Sequence, residues 1–293
     1  MNNTRSTFVH KDGYLKTTLQ ILIASFTFLF TSIFGRDMIS RGIYMLIENN
    51  ILPASVFESY FLTGIIPEVI LNLISAFLIL MLYKKINKKP ISTMGVTSIT
   101  KNMKLICGGM LTLIVLLSCI TAVLYFVGDI KFTGLEFNIS ILQYVLLMAS
   151  VSFVEEVLNR GFIQHLVKSR TYTLWSLVVP SIVFTLFHIV NPGITFFAVI
   201  NIFLAGFFFS LITYKTGNIW FGFGAHLIWN VGSACIFGLM DVSSVTGSIL
   251  NFEYTKLTTF NGFGISPLNG VVGTIAWIAA IFIFSKIKMK KAD

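Results

Sequence analysis

The sequence predicts an all-α protein, a polytopic membrane helical bundle of about eight transmembrane helices, with residues 1–293 forming a single integral membrane domain. Three observations predict it. Apolar residues make up 55% of the chain and charged residues only 11%, where a soluble domain carries about a quarter of its residues charged. The mean hydropathy is +0.85. The apolar residues fall in runs of the length, about 20 residues, that a helix needs to cross a bilayer.

Taken in order, the predicted spans are 17–35, 59–83, 104–128, 142–167, 172–190, 194–214, 218–240 and 266–286. The first sixteen residues are polar and the run after them lacks a small-residue cleavage site, so the first span is expected to stay as an anchor. Residues 42–58 read as a half-polar connection, with an interfacial helix as the alternative, and 241–264 as a Ser/Thr/Gly/Asn-rich loop. No internal repeat or low-complexity tract is evident.

The net charge of +9 does not imply nucleic acid, because the lysines and arginines flank the apolar runs, where they set orientation and meet anionic lipid headgroups. With the N-terminus placed in the cytoplasm, the inner segments hold 17 of the 21 basic residues and the outer ones hold Arg36, Arg41, Lys131 and Lys256. That bias predicts both termini on the cytoplasmic side; the expected location is a bacterial plasma membrane. The three cysteines, Cys107, Cys119 and Cys235, lie inside apolar runs with no metal or disulfide spacing and read as packing residues.

Polar residues inside spans cost a few kcal/mol each and are functional candidates by default. Four places stand out: Glu155, Glu156 and Arg160 in SFVEEVLNRGF, His188 in FTLFH, and His226 and Asn230 in HLIWN. Glu156 and Arg160 are four residues apart, share a helix face and can pair. Glu155 is turned about 100° from Glu156, which leaves it without that partner and makes it the candidate general base. His226 and Asn230, also four apart, point into one groove.

At about 1.5 Å per residue, Glu155, His188, His226 and Asn230 lie roughly 18, 21, 12 and 18 Å from the inner ends of their spans. A single histidine or asparagine in a membrane helix is more often interhelical glue than a catalyst. Two carboxylates, two histidines and an asparagine at matched depth favour a site. Glu68, after Pro67, reads as structural or gating, His165 as interfacial, and the Phe-rich run 203–209 with Gly206 as packing and lipid contact. Asn191 and Asn201 carry no assignment.

The three motifs, EExxxR at Glu155–Arg160, FxxxH at Phe184–His188 and HxxxN at His226–Asn230, on successive membrane helices, resemble the type II CAAX prenyl endopeptidase and bacteriocin-processing family (CPBP, also called Abi). The resemblance covers about residues 142–240, the expected catalytic core. It implies an eight-helix intramembrane endopeptidase in which Glu155 and His188 activate water, His226 and Asn230 stabilise the oxyanion, and Glu156 and Arg160 support the site. The expected partners are a peptide or lipidated-protein substrate and membrane lipid, with no nucleic acid.

Nothing resembles the zinc motif HExxH. A metal-free, Glu/His-activated water is the preferred reading. If a metal is present, Glu155, His188 and His226 are its candidate ligands, with zinc the candidate ion. The competing functions are a transporter, against which the lack of an inverted repeat counts, and a non-catalytic immunity or scaffold protein, against which the intact residue set counts.

Overall fold

A computed structural model describes residues 11–53, 55–59, 61–190, 193–240 and 247–289. The protein is an all-helical membrane bundle with one small sheet at one end. Its rods are α1 (Gly13–Glu48), α2 (Phe61–Asn87), α3 (Thr100–Phe126), α4 (Ser140–Lys168), α5 (Thr173–His188), α6 (Phe196–Thr216), α7 (Trp220–Val231, prolonged by a π-helical turn Gly232–Ile236) and α8 (Val271–Lys286). Five of these, α1 to α4 and α6, are long and apolar enough to cross a membrane by length and composition; α5 and α8 are shorter apolar helices.

The rods follow the predicted apolar runs closely, because burying or lipid-facing an unbroken apolar stretch leaves helix as the conformation that satisfies every backbone group internally. Local chemistry sets several ends. Thr195 caps α6 by accepting from the Ala198 amide at 3.1 Å, and Gly217, at φ 69°, ends it in the left-handed conformation that glycine adopts without strain.

Much of 42–58 takes the helical alternative: α1 continues through a π-helical turn at Thr31–Gly35 and on to Glu48, with no buried residue in its last thirteen. One expectation is corrected. The loop expected at 241–264 contains a strand. Residues Ile130–Leu135 (β1) and Leu250–Tyr254 (β2) pair antiparallel, with Phe132 opposite Phe252 in edge-on ring contact. Both strands alternate apolar and polar residues, but over only five or six positions, a weak signal beside runs of twenty apolar residues. Of that loop, 241–246 lie outside the described residues, as does Asn191.

α7 is the axis of the bundle. Every residue from Trp220 to Trp229 is buried. Its closest partner is α3, and two glycines allow the approach. A Cβ on Gly224 would stand 2.2 Å from the Ile106 carbonyl oxygen, and one on Gly109 would stand 2.1 Å from that of Phe221. Small residues at such crossings let membrane helices pack backbone to backbone.

Gly224→Ala is therefore expected to destabilise the protein by about 1–3 kcal/mol, the usual cost of overpacking, because the obstacle is backbone rather than a movable side chain. Thermal unfolding of the detergent-solubilised protein measures this; an unchanged melting temperature would show that α3 can slide without penalty.

Each end of the bundle is tied differently. At the end bearing the 88–102 connection, Asn218 donates through Nδ2 to Thr97 Oγ1 at 2.8 Å and Asn102 Oδ1 at 3.1 Å, and the Trp220 indole donates to the Thr97 carbonyl at 2.9 Å. At the other end buried Asp129 accepts from Asn261 Nδ2 at 2.8 Å, which fixes the segment following β2. Glu68 pairs with Arg36 across α2 and α1, a structural contact. Of the cysteines, Cys235 is buried as expected, whereas Cys107 and Cys119 are exposed on α3 rather than packed inside.

Candidate functional site

Glu155 and Glu156 end the α-helical part of α4; the backbone then loosens into a π-helical stretch, Val157–Gln164, all of whose residues are buried. Such wide turns inside helices recur at functional sites. This stretch carries Arg160, and its guanidinium reaches back one turn to Glu156, Nη1 to Oε1 at 3.0 Å, with both side chains fully buried. The pairing expected from the four-residue spacing is present.

Arg160 has further partners that spacing did not indicate. Nη2 donates to the Gly206 carbonyl of α6 at 3.0 Å. The guanidinium also lies over the rings of Phe184, at 4.7 Å, and Phe209, at 5.2 Å. A buried cation needs this kind of enclosure, since an uncompensated charge in a low-dielectric interior is costly. The run 203–209 is thus more than packing and lipid contact: Gly206 supplies an acceptor and Phe209 an aromatic wall.

His226 stands between the two glutamates. Its Nδ1 donates to Glu156 Oε1 at 3.1 Å, and its Nε2 faces Glu155 Oε2 at 3.6 Å, beyond hydrogen-bond length. The ring stacks on Phe209, centroids 5.0 Å apart and 19° from parallel, with Phe184 edge-on. Because the Glu156 carboxylate can only accept, Nδ1 carries a proton in this contact.

His188 is the last residue of α5, so its ring sits at the end of its helix rather than at mid-rod. Its Nδ1 donates to the Phe184 carbonyl at 2.8 Å, which leaves Nε2 as the acceptor. Asn230 is anchored by a long bond from Nδ2 to Ser152 Oγ at 3.4 Å.

A cavity of about 430 Å³ gathers these groups. Glu155, His188, His226 and Asn230 all line it, with Ile202 and Phe209 among the apolar walls. The volume lies in the range of small-ligand sites, roughly 300–1,000 Å³. Glu156 and Arg160 are not in the lining; they lie behind it. Glu68 does not reach it, and His165 lies elsewhere, its Nε2 3.0 Å from the Tyr83 hydroxyl.

Asn201 donates to the Gly270 carbonyl at 2.9 Å, joining α6 to the start of α8. Ser152 escaped the sequence reading, and Phe209 and Gly206 were read there only as packing and lipid contact. Phe184 belonged to the FxxxH motif, but nothing there indicated its contact with Arg160.

The candidate zinc set does not fit this arrangement. Among the described residues no three His, Cys, Asp or Glu side chains group so that they could hold a metal ion. His226 directs both ring nitrogens at carboxylates.

Gly222 is a further site requirement. A Cβ there would stand 2.7 Å from Glu156 Oε2. Gly222→Ala should push the carboxylate off His226 and Arg160. A displacement of about 1 Å in a catalytic arrangement costs on the order of 10²-fold in rate, and a loss of that size in peptide turnover is expected. Full activity in Gly222→Ala would show that Glu156 has room to move without consequence.

Residues 137–232 match the model of a family described as Type II CAAX prenyl endopeptidase Rce1-like, and all seven defined residues of the three motifs fall inside the match. No curated protein and no solved structure matches the chain. The family implies an intramembrane endopeptidase acting on peptide or prenylated-protein substrates. The helices that carry the carboxylates, the histidines and the asparagine all lie in the stretch that is similar to the Rce1-like type II CAAX prenyl endopeptidase family.

Proposed function

We propose that this protein is an intramembrane endopeptidase, with residues 1–293 as one membrane domain and 142–240 as its catalytic core. Glu155 and the Nε2 of His188 hold and activate a water molecule. Its oxygen attacks the carbonyl carbon of a peptide bond while Glu155 takes the proton. His226 and Asn230 face the carbonyl oxygen as it becomes an oxyanion. Glu155 then returns the proton to the leaving nitrogen as the C–N bond breaks, giving a carboxylic acid and an amine. Glu156 and Arg160 touch no substrate; they position His226.

The observation that carries this reading is that side chains from three separate helices, Glu155, His188, His226 and Asn230, line one cavity, with a buried ion pair behind them. A general base needs to reach its proton within hydrogen-bond distance in a site that limits water, and the place of Glu155 in a largely apolar-walled cavity supports that role.

Cleavage of a fluorogenic peptide by the purified full chain tests it, with wild type compared against Glu155→Gln. Turnover in wild type that the variant lacks supports the reading, and equal turnover or none in either defeats it. Because the donors do not form a metal site, activity is expected to survive chelation, and metal analysis of the purified protein should find well under one zinc per chain. Stoichiometric zinc, with activity lost on its removal and regained on its return, would overturn the metal-free mechanism.

A further inference from the structure

We infer that the cavity opens on the side of the membrane opposite the basic loops, and that it takes an uncharged, extended peptide segment presented from the extracytoplasmic face. The sidedness rests on geometry and charge; the word peptide rests on the endopeptidase reading above.

The mouth is built from one end of the bundle. Beyond the catalytic groups, the lining includes Gly193 and Ile194 from the connection between α5 and α6, Met240 after α7, and Ile265, Ser266 and Asn269 ahead of α8. All of these follow or precede the same ends of their helices. The rim is held in shape: Asn269 N–H donates to the Ser266 carbonyl at 2.8 Å, and Asn201 of α6 donates to the Gly270 carbonyl at 2.9 Å. Segment 255–270 is in turn fixed by buried Asp129, next to β1.

The opposite end is closed. There Thr97, Asn102, Asn218 and Trp220 form a hydrogen-bonded plug in which Asn102, Asn218 and Trp220 are all less than a tenth exposed. The amide of Ile219 also donates to the Gly95 carbonyl at 3.2 Å, which seats the connection directly under α7. No described residue of this plug lines the cavity.

Charge then assigns the two ends. The plugged end bears Lys84, Lys85, Lys88, Lys89, Lys101 and Lys104, and Lys168, Arg170 and Lys215 as well. The end with the mouth bears Arg36, Arg41, Lys131 and Lys256. Arg160 is buried in the site and belongs to neither count, yet the bias remains. Short connections rich in lysine and arginine stay cytoplasmic, so the plugged end is the inner one and the mouth faces outward.

The lining also restricts what enters. Among the described lining residues there is no lysine or arginine, and Glu155 is the one carboxylate, deep in the cavity. Ser266 and Asn269 offer neutral hydrogen-bonding groups at the rim, and the walls are apolar. A charged side chain would be desolvated there without a partner, at a cost of several kcal/mol. An extended backbone with small or apolar side chains fits this chemistry.

The test uses the full chain in cell membranes, with lipid-facing Cys107 and Cys119 replaced by serine. A membrane-impermeant maleimide should label Ile265→Cys in intact spheroplasts, and Lys89→Cys only after permeabilisation. The reverse pattern overturns the proposal. In a second arm, the same short uncharged segment is placed on the outer or the inner side of a single-span anchor and co-expressed. Cleavage of the outer form alone, lost in Glu155→Gln, is expected; cleavage of the inner form alone overturns the sidedness. Outward labelling with neither form cut in any uncharged sequence tried overturns the peptide assignment and the endopeptidase reading together, and leaves the sidedness standing.

Discussion

Glu155→Gln is expected to abolish peptide cleavage and to leave the melting temperature close to that of wild type. The amide keeps the shape of the side chain and its capacity to hydrogen-bond, but it cannot take a proton from water. Loss of a positioned general base costs about 10²–10⁴-fold in rate. Stability is spared because Glu155 carries little of the fold. Its side chain is 13% exposed, it lines the cavity, and its Oε2 has no hydrogen-bond partner among the described residues. Turnover and thermal unfolding measured on one preparation decide the point. A variant that melts early, or that still cleaves at the wild-type rate, would remove Glu155 from the role of base.

Glu156→Gln is expected to differ in stability, which it should lose along with activity. One Glu156 oxygen serves both Arg160, at 3.0 Å, and His226, at 3.1 Å, and the side chain is fully buried. Removing its charge strands the guanidinium in an apolar interior with only the Gly206 carbonyl and two aromatic rings around it. Stranding one member of a buried ion pair costs about 3–5 kcal/mol. Arg160→Met should behave the same way, because it leaves the Glu156 carboxylate buried with His226 as its remaining partner. Lower yield and an earlier melt in both variants are the expected result. If Glu156→Gln is stable but inactive while Glu155→Gln keeps turning over, the two glutamates have exchanged roles.

The different fates of two adjacent glutamates were legible in the sequence, because the relevant contact is local. Residues four apart on a helix meet whatever the rest of the chain does. Glu156 and Arg160 therefore pair even though the backbone passes into a π-helical stretch between them. The rods were legible for a similar reason: a run of twenty apolar residues allows little besides helix in a bilayer. What was missed or left open was short or irregular. The β1–β2 ladder rests on alternation too brief to stand out, and the helical extension of α1 to Glu48 lies in a half-polar stretch that read as either a connection or an interfacial helix.

The depth argument held for the cavity as a whole but not for every residue. His188 lies at the end of α5, next to the mouth, while Glu155 lies within α4. Counting residues along each span measures position on that helix and says nothing of how far neighbouring helices are displaced along their axes.

By itself, then, the sequence determined that the chain is a membrane helical bundle, where its rods run, which six polar residues stand out, and which glutamate pairs with Arg160. Each of these follows from composition or from contacts within one or two helical turns. The tertiary structure alone decided that His226 stands between both glutamates, that the Gly206 carbonyl and the Phe184 and Phe209 rings enclose Arg160, that Gly222 makes room for Glu156, and that the cavity is closed at one end and lined by rim residues at the other. These contacts join different helices at crossings such as Gly109 on Gly224. The angle and offset at which two helices cross come from the shapes of both surfaces at once, and no periodicity in either strand of sequence records them.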